Sequence, residues 1–249
     1  MAAKVTDFTQ LRKRLKAARV KGAPSHALGQ ARLMMDAWID AAESHGMPVS
    51  EALRRIRDGA AARQIAEEVA HTQLSSNSGI AANAACRAGC AFCCILKGED
   101  GGTIGADEAR RLHKALLPLI GQPDGRQWHE NACPALDPET RMCRAYDARP
   151  MICRSYMSVD VAACERIAEG QPADGAGVLG AQMIHLALLA LSRAAMAGIA
   201  MVPTYSMAKL AQMAVDGASL DEALTMARHG PRGLVDELAR QAEAMKRVP

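Results

Sequence analysis

The sequence predicts a mainly α protein, a helical bundle enclosing a central irregular segment rich in cysteine. Three observations carry this expectation. The 249 residues are 49% apolar but only 3% aromatic, so Ala and Met supply much of the packing, which suits helices better than sheets. Apolar residues recur at helical spacing near both ends of the chain, and no run alternates clearly enough to predict a strand. Seven of the eight cysteines fall between positions 86 and 153, where Gly and Pro interrupt any periodicity. The length suits one large domain or two small ones. The expected segments are N-terminal helices over 1–80, the cysteine segment over 81–168 and C-terminal helices over 169–249, with the two helical parts able to pack as one domain.

Phe8, Leu11, Leu15 and Ala18 share one face of a first helix, with Arg12, Lys13, Arg14, Lys16 and Arg19 around them. This basic amphipathic pattern reads as an apolar stripe on the core with a solvated face opposite. Pro24-Ser25 starts a second helix that Gly46 and Pro48 stop. Ser50 is the expected cap of a third, running through Ile56, Ile65 and Val69 with a weak spot at Gly59. After the cysteine-rich stretch, Ala106 to Ile120 returns to helix, and 121–147 reads as irregular, punctuated by Pro123, Gly125, Pro134 and Pro138. Short helices are expected at Met151–Tyr156 and Val159–Ala168, then a surface linker over 169–177. Val178 to Val202 is the most apolar stretch. Gln182, His185, Ser192 and Arg193 interrupt it, so it reads as a buried helix and not a membrane span. Three further helices, near 206–216, 220–228 and 232–246, finish the chain, the second opening with the capping box Ser219-x-x-Glu222.

The net charge of +3 is far from a nucleic-acid signature, and no nucleic-acid partner is expected. The first residues show no apolar signal core, so a cytoplasmic protein is expected. In that reducing compartment clustered cysteines speak for metal before disulfides.

The cysteines run Cys86-x3-Cys90-x2-Cys93-Cys94, then Cys133, Cys143 and Cys153. Thiolates at such spacing hold a metal ion or an iron–sulfur cluster. Tetrahedral zinc and a cubane each take four ligands. Seven thiols therefore leave about three over, for a second metal, a redox pair or no role. Cys93 and Cys94 are adjacent and are expected to face different partners. Arg87, Arg141, Arg144, Arg149 and Arg154 crowd the thiols and would offset thiolate charge, Arg149 and Arg154 foremost. Phe92, Trp128, Tyr146 and Tyr156 would wall the centre.

The run Cys86-x3-Cys90-x2-Cys93-Cys94, Cys133-Pro-Ala-Leu-Asp137, then Cys143-x2-Tyr146-x2-Arg149-Pro150-x2-Cys153-Arg154-x-Tyr156 resembles the YkgJ-type cysteine-cluster family, described as a zinc- or iron-chelating domain. The resemblance covers about residues 84–157. It implies that Cys86, Cys90, Cys93, Cys94, Cys133, Cys143 and Cys153 chelate. It also implies an iron–sulfur cluster, [4Fe–4S] in type, or zinc, with Arg149, Arg154, Tyr146 and Tyr156 around the centre. Related clusters in flagellin lysine methylases put iron–sulfur ahead of zinc and leave open an enzyme that modifies protein side chains. A zinc-stapled interaction module is the third reading. Cys164 lies outside the motif and reads as a packed core thiol.

Other motifs compete weakly. Cys86-x3-Cys90-x-Phe92-Cys93 fits the radical S-adenosylmethionine pattern, but no strands of a β/α barrel follow. Gly175-x-Gly177-x2-Gly180 fits a nucleotide fingerprint but follows no strand, so a linker is expected. His129 reads as a loop histidine, His185 as a hydrogen-bonded core histidine, and Glu67-Glu68 and Asp107-Glu108 as solvated helix faces or helix-start charges.

Overall fold

A computed structural model describes residues 5–75, 82–96, 101–174, 176–178 and 180–246. Helix α1 (Phe8–Ala17) begins where the Asp7 carboxylate accepts the Gln10 N–H at 2.8 Å, and it buries Leu11 and Leu15. Helix α2 (Ser25–Ser44) buries Ala27, Ala31, Met35, Ile39 and Ala42, one apolar stripe at helical spacing. The next predicted helix is two. Gly59 takes φ +85°, a conformation open to glycine, and divides α3 (Val49–Asp58) from α4 (Ala60–Ser75). Ser50 is not the cap. Pro48 disfavours helical backbone in the residue before it, so the helix starts at Val49 and Ser50 falls inside the first turn.

Helix α5 (Ala106–Leu116) is followed by a 3-10 turn over Leu117–Leu119. Short α6 (Met151–Ser155) and α7 (Val161–Ala168) follow the irregular segment, and the Asp160 carboxylate caps α7. Helix α8 (Gly180–Ala195) is the axis of the molecule. It is buried from Ala181 to Ser192 and packs against α1, α2, α3, α4 and α6. Helices α9 (Met207–Val215), α10 (Leu220–Ala227) and α11 (Gly233–Lys246) complete the chain. α11 also lies on α8. At α10 the Ser219 N–H donates to Glu222 Oε2 (2.9 Å) and the Glu222 N–H to Ser219 Oγ (3.4 Å), the expected reciprocal cap.

Among the described residues four three-residue strands were not legible in the sequence, being too short to show alternation. β1 (Thr103–Gly105) pairs antiparallel with β4 (Thr204–Ser206), and β2 (Tyr156–Ser158) with β3 (Ala176–Val178). β3 takes up the end of the expected linker. Gly175 of the nucleotide-like motif lies outside the described residues.

One apolar core surrounds α8. It joins Leu11, Leu15, Met35, Ile39, Ile56 and Ile65 to Leu186, Leu188, Leu189 and Leu191. Each such side chain contributes about 1.5–3 kcal/mol on burial. A second core sits on α5, α9 and α10, around Ile104, Leu112, Leu116, Tyr205, Met207 and Leu210. The cysteine segment lies against this second core. Among the described residues no helix is long and apolar enough to cross a membrane.

Candidate metal centre

The first four cysteines sit on a loop shaped by backbone contacts. Gly89, at φ +76°, turns the chain between Cys86 and Cys90, where an added Cβ would lie 3.0 Å from the Thr140 carbonyl. A 3-10 turn over Phe92–Cys94 follows. The chain from Cys94 then runs beside the later loop. The Cys133 N–H donates to the Cys94 carbonyl (2.8 Å), the Leu96 N–H to the Asn131 carbonyl (2.7 Å), and Ile95 bridges Ala132. Cys94 and Cys133, far apart in sequence, are thereby neighbours.

A tight hairpin delivers Cys143. Leu136 bridges Cys143, and the Asp137 N–H donates to the Met142 carbonyl at 2.9 Å. The Asp137 carboxylate accepts both the backbone N–H and the hydroxyl of Thr140, each at 2.8 Å. Those bonds hold its pKa below the usual carboxylate range. Gly125 lets this loop approach closely. A Cβ there would stand 2.4 Å from the Cys133 carbonyl oxygen.

Cys153 rides on α6, which Pro150 opens. The buried Glu108 carboxylate fixes the start of α6, accepting the Met151 N–H at 2.7 Å through Oε1 and the Gly105 N–H at 2.9 Å through Oε2. Glu108 is therefore not a solvated helix-face charge. It ties the N-termini of α5 and α6 together, and its partner on α6 is 43 positions away, beyond what local pattern shows. His185 Nε2 lies 3.5 Å from Glu108 Oε2, and among the described residues neither ring nitrogen of this buried histidine has a hydrogen-bond partner. The expected hydrogen-bonded core histidine is thus buried but not hydrogen-bonded.

Four thiols share apolar surroundings. Cys94, Cys133 and Cys143 pack on Ala91, Ala132 and Leu136, and Cys133, Cys143 and Cys153 pack on the second core. Cys153 Sγ is also 3.4 Å from Met207 Sδ. Burial pushes the Cys133 pKa up to about 12 and raises those of Cys143 and Cys153. Cys93 goes the other way. The Cys94 thiol donates to it, and with a smaller contribution from Arg149 this holds Cys93 down at about 7, while Cys94 is raised.

The remaining thiols lie toward α7. Burial chiefly raises the pKa of Cys90, and the neighbouring charges of Cys164, Cys93 and Cys86 add to it. Cys164 is raised by burial against a hydrogen bond with Ser158, with Cys93 and Cys86 again contributing. Tyr156 faces the same group. Burial, then Cys164, Cys93 and Cys86, push it up to about 12.

The basic residues divide by role. The Arg149 guanidinium stacks 3.6 Å from the Tyr146 ring centroid; its charge adds to the lowering at Cys93 and opposes the rise at Cys143 and Cys153. Arg154 instead latches backbone, donating to the carbonyls of Arg149 (2.8 Å) and Asp147 (2.7 Å). Arg144 binds the Pro123 and Leu136 carbonyls, and Arg141 lies 5.5 Å over Trp128, itself beside Phe92. His129 Nδ1 accepts the Asn131 N–H at 3.1 Å, as a loop histidine would.

All eight cysteines are free thiols. Among the described residues no three His, Cys, Asp or Glu side chains stand in ion-holding geometry as placed. The thiols are gathered into one region without converging on one point, and metal binding would have to draw them in. The donor set fits that outcome. It is soft thiolate, the choice of zinc and iron–sulfur centres. Among the described residues the buried Nε atoms of Arg144 and Arg149 have no hydrogen-bond partner, which an anionic metal–thiolate centre could supply.

No curated protein and no solved structure matches the chain. Residues 85–172, about a third of the chain, match the CxxCxxCC family model, described as a putative zinc- or iron-chelating domain.

Proposed function

We propose that the protein holds an iron–sulfur cluster, or zinc, through its clustered cysteines, in a redox or structural role. The observation that carries this is the meeting of Cys94, Cys133, Cys143 and Cys153 from four separate pieces of backbone beside Arg149, a cation whose buried Nε has no hydrogen-bond partner among the described residues. The residues that would hold the centre are thiolates. Arg149 would offset their charge, and Arg154 and Glu108 would fix the backbone on either side of Cys153. A bound cluster would supply one-electron chemistry, and zinc would supply a staple for loops with little core of their own. The methylase resemblance puts the cluster first. Free thiols fit a cytoplasmic setting, where they stay reduced.

An enzyme built on the same centre has one observation in its favour. A polar cleft of about 550 Å³ opens beside Ala132 and Pro134, the residues flanking Cys133, with Lys209, Arg228, His229 and Glu130 on its walls. Anaerobic purification with metal, sulfide and optical analysis tests the main reading. A brown protein absorbing near ~400 nm with acid-labile sulfide is expected of a cluster of cysteine-ligated iron. Colourless protein with stoichiometric zinc would replace it by the staple, and metal-free protein would end both.

A further inference from the structure

We propose that the eight cysteines form two metal sites of four thiols each, an inner site of Cys94, Cys133, Cys143 and Cys153 and an outer site of Cys86, Cys90, Cys93 and Cys164. This rests on the reading that the clustered thiols bind metal, and it assigns Cys164 a ligand's role that the sequence motif does not give it.

The inner four are set apart by packing. The Cys133 N–H binds the Cys94 carbonyl, Cys143 bridges Leu136, and every one of the four touches an apolar cluster that includes Cys133 and Cys143. None of the outer four belongs to either cluster.

The outer four are gathered by different contacts. The Ala85 N–H donates to the Ser158 carbonyl at 2.8 Å, and Cys86 Sγ lies 3.8 Å from that same oxygen. The Ser158 hydroxyl donates to the Asp160 carbonyl at 2.7 Å, where α7 begins. The start of the cysteine loop and the start of α7 are thus pinned to one residue. Helix α7 then packs on the Phe92–Cys94 turn. Cys164, one turn into α7, is 7% exposed, so its thiol is turned to the protein and not to solvent.

The adjacent pair would fall to different sites. Cys94 packs on the apolar cluster while Cys93 is exposed, and binding would part the two thiols, which face each other in the unloaded fold. Zinc and a cubane each take four cysteines, so eight thiols split four and four leave none over. As placed, neither set stands in ion-holding geometry, and binding would turn the exposed Cys86 and Cys93 inward.

The test counts zinc, iron and sulfide per chain in anaerobically purified full-length protein, with far-UV circular dichroism to confirm the helices. Wild type should carry two centres. Cys164→Ser and Cys86→Ser should each keep one, about half the metal, Cys143→Ser should keep the other, and Cys164→Ser with Cys143→Ser should keep none. Cys86 is exposed, so its variant tests the outer site even where Cys164→Ser fails to fold. A wild type with one centre overturns the proposal. So does full metal in Cys164→Ser, or loss of all metal from folded Cys86→Ser. Metal-free wild type would instead overturn the underlying reading of a metal-binding protein.

Discussion

Glu108→Ala removes the one side chain that accepts the N–H groups of both Gly105 and Met151. Both hydrogen bonds are buried, so each donor is left without water or carboxylate. An unsatisfied buried donor costs about 1–3 kcal/mol, which puts the total at roughly 2–6 kcal/mol. That is a large share of a typical stability of about 5–15 kcal/mol. Glu108→Gln keeps one oxygen for one donor and turns an NH2 group on the other, so about half the loss is expected. Urea unfolding of metal-free protein, followed by circular dichroism, gives both values. Cys153 lies two residues beyond Met151 on α6, so as-purified metal should fall in the same order. Glu108→Ala within about 0.5 kcal/mol of wild type, the range of ordinary surface changes, would refute the reasoning.

Gly125→Ala places a methyl 2.4 Å from the Cys133 carbonyl oxygen and 2.9 Å from Leu136 Cβ; a loss of about 1–3 kcal/mol and weaker metal retention are expected, and an unchanged melting temperature would contradict it. In metal-stripped protein Cys93, with its pKa near 7, should be the first thiol alkylated by iodoacetamide at pH 7–8, and peptide mapping that finds Cys133 first would count against the assignment. The raised thiols set an alkaline limit. Cys133 stays protonated in the fold up to about 12 but ionises near 9 when unfolded, so stability is full below pH 9 and falls as pH rises toward 12, by about 1.4 kcal/mol for this thiol at pH 10. A metal-free melting temperature that is flat from pH 8 to pH 11 would exclude this. Cys90→Ser and Cys153→Ser should each release metal and lower the melting temperature, and full metal with unchanged melting in both would argue against chelation.

The helices were legible because their signals are local. Leu11 and Leu15, or Met35 and Ile39, lie four apart in sequence and on one face in the fold. The Ser219–Glu222 cap was legible for the same reason. What escaped is non-local. Glu108 looked like a helix-start charge, and it does sit in the first turn of α5, but its burial depends on Met151. The short strands depend on partners such as Thr103 and Ser206. The cysteine string announced metal chemistry at once. How its thiols are grouped did not show, because Cys94 meets Cys133 through one backbone hydrogen bond, and Ala85, beside Cys86, meets Ser158 through another.

The axial position of α8 has a consequence for the order in which the chain takes shape during synthesis. Helices α1, α2 and α4 come first from the ribosome, yet the surface they need is carried by residues 180–195. From Cys164 to Ala195 the ribosome adds roughly 30 residues, on the order of 2–6 seconds at about 5–20 residues per second. Through that interval every cysteine has been made while the bundle still lacks its middle. The thiols are therefore presented to the cell's metal supply before the helix that backs α6 has arrived, and the nascent N-terminal helices spend the same interval with their apolar faces uncovered.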